Sequence, residues 1–107
     1  MTDGQPMTEA MYYVLLALVH PGHGYGMMQR IKELSGGRII MGPGTLYGVL
    51  TRMRKEGLII LREEDERRKT YEMTGAGRDA LMAEYARIQR MVDDGAVLEE
   101  GQNENEI

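Results

Sequence analysis

Apolar residues recur along this chain at helical spacing, and glycine and proline break the pattern at intervals. Between Thr8 and His20, the residues Met11, Val14, Leu15 and Leu18 fall at i, i+3, i+4 and i+7, the stripe of one helix face. Thr8 suits the N-cap and Pro21-Gly22 the stop. Tyr12, Tyr13, Leu16 and Val19 make the other faces apolar too, which predicts a helix buried on more than one side. A second helix is predicted from about Tyr25 to Ser35, with Met27, Ile31 and Leu34 inward and Gly36-Gly37 ending it. Arg38 to Met41 reads as an extended connector. A third helix starts at Pro43, a position where a missing N–H costs nothing. Leu46, Val49, Leu50 and Met53 repeat the stripe, and Gly57 closes it.

The period then shortens. Leu58 to Arg62 and Lys69 to Met73 read as strands, with Tyr71 and Met73 on one face and the charged Glu63 to Arg68 as a solvated hairpin loop. Thr74 can cap a fourth helix running to about Leu98. On it Leu81, Tyr85, Ile88 and Val92 are spaced 4, 3, 4, as in a coiled-coil seam. A seam must be covered, either by the first helix of the same chain or by a second copy. Residues 1–7 read as a flexible N-terminus and 99–107 as a disordered acidic tail. The expected fold is mainly α with a small β-hairpin. It divides into a winged helix-turn-helix over residues 8–73 and a C-terminal dimerisation helix over residues 74–98.

A length of 107 residues fits one domain. The chain has no cysteine, no apolar run of about 18 residues and no signal-like start, so it reads as a soluble cytoplasmic protein with no membrane partner. The net charge of −4 conceals an uneven distribution. Residues 1–37 carry −1, residues 38–78 carry +3 and residues 79–107 carry −6. Phosphate contacts need a local positive field, because salt screens charges beyond about 10 Å. An enzyme is not expected. The single serine, Ser35, lies in a helix stop, and no phosphate loop or catalytic carboxylate pair is present. No cofactor is expected, and no metal, since His20 and His23 lack further ligands nearby.

The face of the third helix opposite its stripe is Gly44, Thr45, Gly48, Thr51, Arg52 and Lys55, with Tyr47 and Arg54 at the margins. Small residues give low relief, so a groove floor can approach the backbone, and threonine can meet thymine methyls or phosphates. The alternative is an ordinary surface helix. In the hairpin, Arg67, Arg68 and Lys69 are consecutive cations suited to phosphate or minor groove. Equally, they can neutralise the preceding Glu63, Glu64, Asp65 and Glu66, which oppose such contacts. Met7, Met11, Tyr85, Ile88 and Met91 are candidates to line an apolar effector pocket, or simply to pack.

Three stretches carry a family resemblance. They are Tyr12 to Leu16 with His23-Gly24-Tyr25-Gly26; Gly42-Pro43-Gly44-Thr45-Leu46-Tyr47 leading to Arg52 and Glu56-Gly57-Leu58-Ile59; and Asp65 to Tyr71 followed by Thr74 and Gly77. Together these resemble the PadR family of transcriptional regulators, in the smaller subgroup with one C-terminal helix. The resemblance implies a third helix in the major groove of double-stranded DNA, the hairpin as wing, and a homodimer through the C-terminal helix. It also implies repression, relieved by a small aromatic or cationic effector. The rival reading is a winged-helix adaptor that binds protein. The cations Arg52, Arg54, Lys55, Arg67, Arg68 and Lys69 favour DNA over that.

Overall fold

The computed structural model describes residues 6–65 and 68–105. Its elements run α1 (Glu9–Ala17), α2 (Gly24–Leu34), α3 (Pro43–Lys55), β1 (Ile59–Asp65), β2 (Arg68–Met73), α4 (Gly75–Asp94) and α5 (Val97–Asn105). The fold is a winged helix, mainly helical with one two-stranded antiparallel hairpin. The core is built from the predicted stripes. Met11, Val14, Leu15 and Leu18 of the α1 segment meet Met27 and Ile31 of α2, and Leu46, Leu50 and Met53 of α3, all buried. Leu34, expected inward, is exposed at the last residue of α2.

Two threonines cap as their positions require. Thr8 Oγ1 accepts from the Met11 N–H at 3.1 Å, and Thr74 Oγ1 accepts from the Gly77 N–H at 3.0 Å. The Thr74 hydroxyl also donates to the Gly57 carbonyl at 2.7 Å, so one residue ties the end of α3 to the start of α4. Helix α1 stops at Ala17, three residues short of the predicted end. The residue before a proline is disfavoured in a helix, and here the freed carbonyls have another partner. Arg30 of α2 donates to the Ala17 carbonyl and, at 3.2 Å, to that of His20.

The wing is longer than its charge pattern suggests. Glu63 to Asp65 and Arg68, expected in a solvated loop, continue the strands, and the register places Glu63 opposite Lys69 and Asp65 opposite Arg68. Glu63 and Lys69 are opposite charges at one register pair, an arrangement that favours pairing over a loop. The apolar register pairs Ile59–Met73 and Leu61–Tyr71 lie on the inner face. The other edge of β2 is held too. Gly22 and Tyr71 exchange backbone hydrogen bonds of 3.1 and 2.8 Å, pinning the wing to the turn between α1 and α2.

Helix α4 ends at Asp94, capped by Gly95, where the sequence predicted continuation to Leu98. Carboxylates at Asp93 and Asp94 oppose the negative end of the helix dipole, and glycine is a poor helix former. The region 99–107, expected to be disordered, carries α5 up to Asn105. Glu99 and Glu100 fall in its first turn, the end of a helix that favours acidic side chains. The molecule is elongated, 66 × 31 × 21 Å.

Candidate nucleic-acid interface

Burial of one α3 stripe exposes the other face in a single strip. Gly44, Thr45, Tyr47, Gly48, Thr51, Arg52, Arg54 and Lys55 are all exposed, so the structure brings together every α3 residue proposed from sequence. Gly44, Thr45 and Gly48 occupy the N-terminal two turns, and Thr51 joins the cations beyond them. Thr51 turns its hydroxyl back to the Tyr47 carbonyl at 2.8 Å. Arg52 is not idle. Its Nε lies 3.1 Å from Glu56 Oε2 one turn on. That pair is exposed and worth only about 0.3–0.5 kcal/mol, so an incoming phosphate can displace it.

The wing flanks this strip. Lys69 is exposed on β2. Arg68 opens β2, and Arg67 lies outside the described residues. Arg62 forms a 2.6 Å ion pair with Glu72, two register pairs along on the opposite strand. Acids and bases nearly balance along the hairpin sequence, while the cations of α3 keep a local positive charge. Between helix and wing runs an open groove of about 540 Å³, lined by Thr51, Arg54 and Lys55 on one wall and Ile59, Ile60 and Leu61 on the other. Sequence reasoning missed this groove because it exists only once β1 turns back along α3.

The predicted dimer seam divides. Leu81 is buried in the protomer's own core and is unavailable to a partner. Ile88 is half-buried, whereas Tyr85 is 58% exposed and Val92 63% exposed. The proposed effector residues divide likewise. Met11 is buried in the core and Met7 half-buried against it, while Met91 is exposed on α4. Between α1 and α4 lies a polar feature that periodicity did not reveal. Glu84 is only 6% exposed, and its carboxylate accepts from Arg87 at 2.6 and 3.0 Å, with the Met7 backbone amide also favouring its charged form. The Arg87 hydrogen bonds hold the Glu84 carboxyl below its ordinary range, against the opposing effect of burial. Burial pushes the neighbouring Tyr12 phenol up, with Tyr85 and Tyr13 adding to it. The only sequence signal for Glu84 is an acid inside an otherwise apolar stretch of helix.

The region 14–83, from the middle of α1 into α4, matches the family model of the transcriptional regulator PadR-like family. The chain belongs to the PadR-like family. Members of this family are DNA-binding transcriptional regulators. Among solved structures, a PadR-like transcription factor from Bacteroides fragilis is 28% identical, with a TM-score of 0.70 over 82% of this chain and 87% of that one. The fold also matches Bordetella bronchiseptica BpsR, whose DNA binding is regulated by 6-hydroxynicotinic acid. That protein is 16% identical, with a TM-score of 0.64 over 90% of this chain and 64% of that one. A 37.1 kDa protein of transposon TN4556 in Streptomyces fradiae is 38% identical over 96 residues. The match takes in 86% of this chain and spans 27% of that relative's length. Among the described residues no helix is long and apolar enough to cross a membrane, and no group of three or more His, Cys, Asp or Glu could hold a metal ion.

Proposed function

We propose that this PadR-like chain is a homodimeric transcriptional repressor that binds an inverted-repeat operator through α3 and releases it on binding a small effector. The observation that carries the reading is the exposed α3 strip, low in relief at Gly44, Thr45 and Gly48 and cationic at Arg52, Arg54 and Lys55. A major groove admits a helix of this profile, with small residues near the base edges and cations on the phosphates. The groove beside the wing gives the sugar-phosphate strand a path between Arg54 and Lys55 on one side and the hairpin on the other.

Dimerisation draws support from α4. Tyr85, Met91 and Val92 leave apolar surface uncovered on a helix that extends past the core. A two-fold dimer would cover it and would present two α3 strips to half-sites about one helical turn apart. An effector seat between Tyr85, Ile88 and Met91 of two copies would couple ligand to the separation of those strips. BpsR provides the precedent of ligand-regulated DNA binding on a related fold.

Selection of bound duplexes from a randomised pool at low salt tests the reading. Recovery of an inverted repeat, with affinity falling steeply as salt rises, is the expected result. Recovery of no preferred sequence would overturn it in favour of a protein-binding winged helix.

A further inference from the structure

Tyr47 sits on the DNA-facing side of α3, yet it is only 46% exposed, because its outer end is committed to α2. A Cβ placed on Gly24, the first residue of α2, would collide with the Tyr47 hydroxyl oxygen and stand 2.9 Å from Tyr47 Cζ. Gly24 is buried and has no positive φ, so its backbone would accept any residue. What it supplies is space, and the phenol fills that space. Two residues earlier, Gly22 is hydrogen-bonded to Tyr71 of the wing. The outer end of Tyr47 therefore lies where α2, α3 and the base of β2 converge. The Tyr71 phenol is raised first by burial and next by this same Tyr47, in keeping with that proximity.

We propose that Tyr47 is a positioning residue for DNA binding: seated in the notch at Gly24, its ring braces α3 against the first turn of α2 and sets how the Gly44, Thr45 and Gly48 face is presented. This rests on the reading of α3 as the DNA-binding helix. A methyl group at Gly24 would take the place of the phenolic oxygen. Tyr47 is at the surface and can swing away, so the fold survives. The displaced ring then stands up from a face that must lie flat against the groove.

Gly24→Ala is expected to bind the selected duplex roughly tenfold more weakly or worse. Its melting temperature should hold, and so should its slope of affinity against salt, since no phosphate contact is removed. Tyr47→Phe alone keeps the ring in the notch and sets the reference for the double variant. Adding it to Gly24→Ala should restore part of the affinity, because loss of the hydroxyl leaves only the 2.9 Å approach to Cζ, which a small shift of the ring relieves. Parental binding by Gly24→Ala would overturn the proposal. So would a double variant no better than Gly24→Ala, which would mean that Gly24 admits the DNA backbone itself.

Tyr47→Ala against Tyr47→Phe tests the same point with Gly24 intact, in case Gly24→Ala melts. An Ala variant clearly weaker than the Phe variant supports the brace. Equal losses in both would place the hydroxyl on DNA and overturn it. In the free protein, the Tyr47 ring resonances should shift in Gly24→Ala, and unmoved resonances refute the brace. If the parent binds no duplex, the DNA reading fails, while these resonances still report whether Gly24 seats the ring.

Discussion

A guanidinium serves a phosphate only while it can leave its other partners. By that measure the arginines of this chain fall into distinct groups. Arg30 is committed to the carbonyls at the end of α1, and Arg87 to the buried Glu84 carboxylate. Arg52 holds only an exposed carboxylate one turn away. Arg52→Ala should therefore weaken operator binding by about 1–3 kcal/mol and flatten the salt slope by about one, with thermal stability nearly unchanged. Fluorescence anisotropy across a salt series, set beside a thermal melt, checks both halves, and a melted variant would give Arg52 a structural role instead. Glu84 presents the opposite case. Its pKa is lowered in the folded state, so its contribution is in place above the ordinary value of 4.5 and is lost as pH falls through the folded value. Glu84→Gln should cost about 1.5–3 kcal/mol at neutral pH, as expected for a buried hydrogen bond to a charged group. Urea unfolding at neutral and acid pH should show the gap between parent and variant closing in acid; a gap constant with pH would mean that the charge is irrelevant. Arg52 was legible from its place on the polar face of α3. Glu84 was not, because nothing local announces that Met7 and Arg87 converge on it.

Helices α1 to α4 were readable because each carries local evidence: an apolar stripe, a glycine or proline beyond, and for α1 and α4 a threonine at the cap. Their ends moved where a neighbour supplied what the local sequence lacked. Arg30 takes up carbonyls at the end of α1, and the backbone register of the hairpin extends the wing at the expense of its loop. How elements cross was not readable. Helix α4 passes so close to the start of β1 that a Cβ on Gly77 would strike the Leu58 carbonyl oxygen and stand 3.0 Å from its carbon. Backbone cannot rotate aside as a side chain does. Gly77→Ala should therefore destabilise by about 1–3 kcal/mol, the range for overpacking, despite alanine's better helix propensity. Chemical denaturation measures this, and an equal or raised stability would show that α4 can shift without loss.

A molecule 66 Å long with its basic strip in the middle of the sequence and its acidic segment at the C-terminal end separates opposite charges. The acids of residues 93–100 fall outside the wing and the core, so they oppose DNA only through the screened long-range field. The uncovered side of α4 belongs to the same scale. Ile88→Glu should turn the proposed dimer into a monomer by light scattering, since like charges would meet across the two-fold axis. Val92→Glu, on a residue well clear of the core, should do the same without touching the fold. An unchanged mass in both would place the interface elsewhere. Read alone, the sequence sets the order of elements through α4, most of the core stripes of α1 to α3, the exposed strip of α3 and the family resemblance, because periodicity, caps and motifs are local quantities that neighbouring residues encode together. Only the tertiary structure decided that Leu81 belongs to the protomer's core, that Tyr47 seats on Gly24, that Gly22 holds the wing and that a groove opens between α3 and β1. Each of these depends on the distance between residues far apart in the chain, which is set by the simultaneous packing of all the faces and by no segment alone.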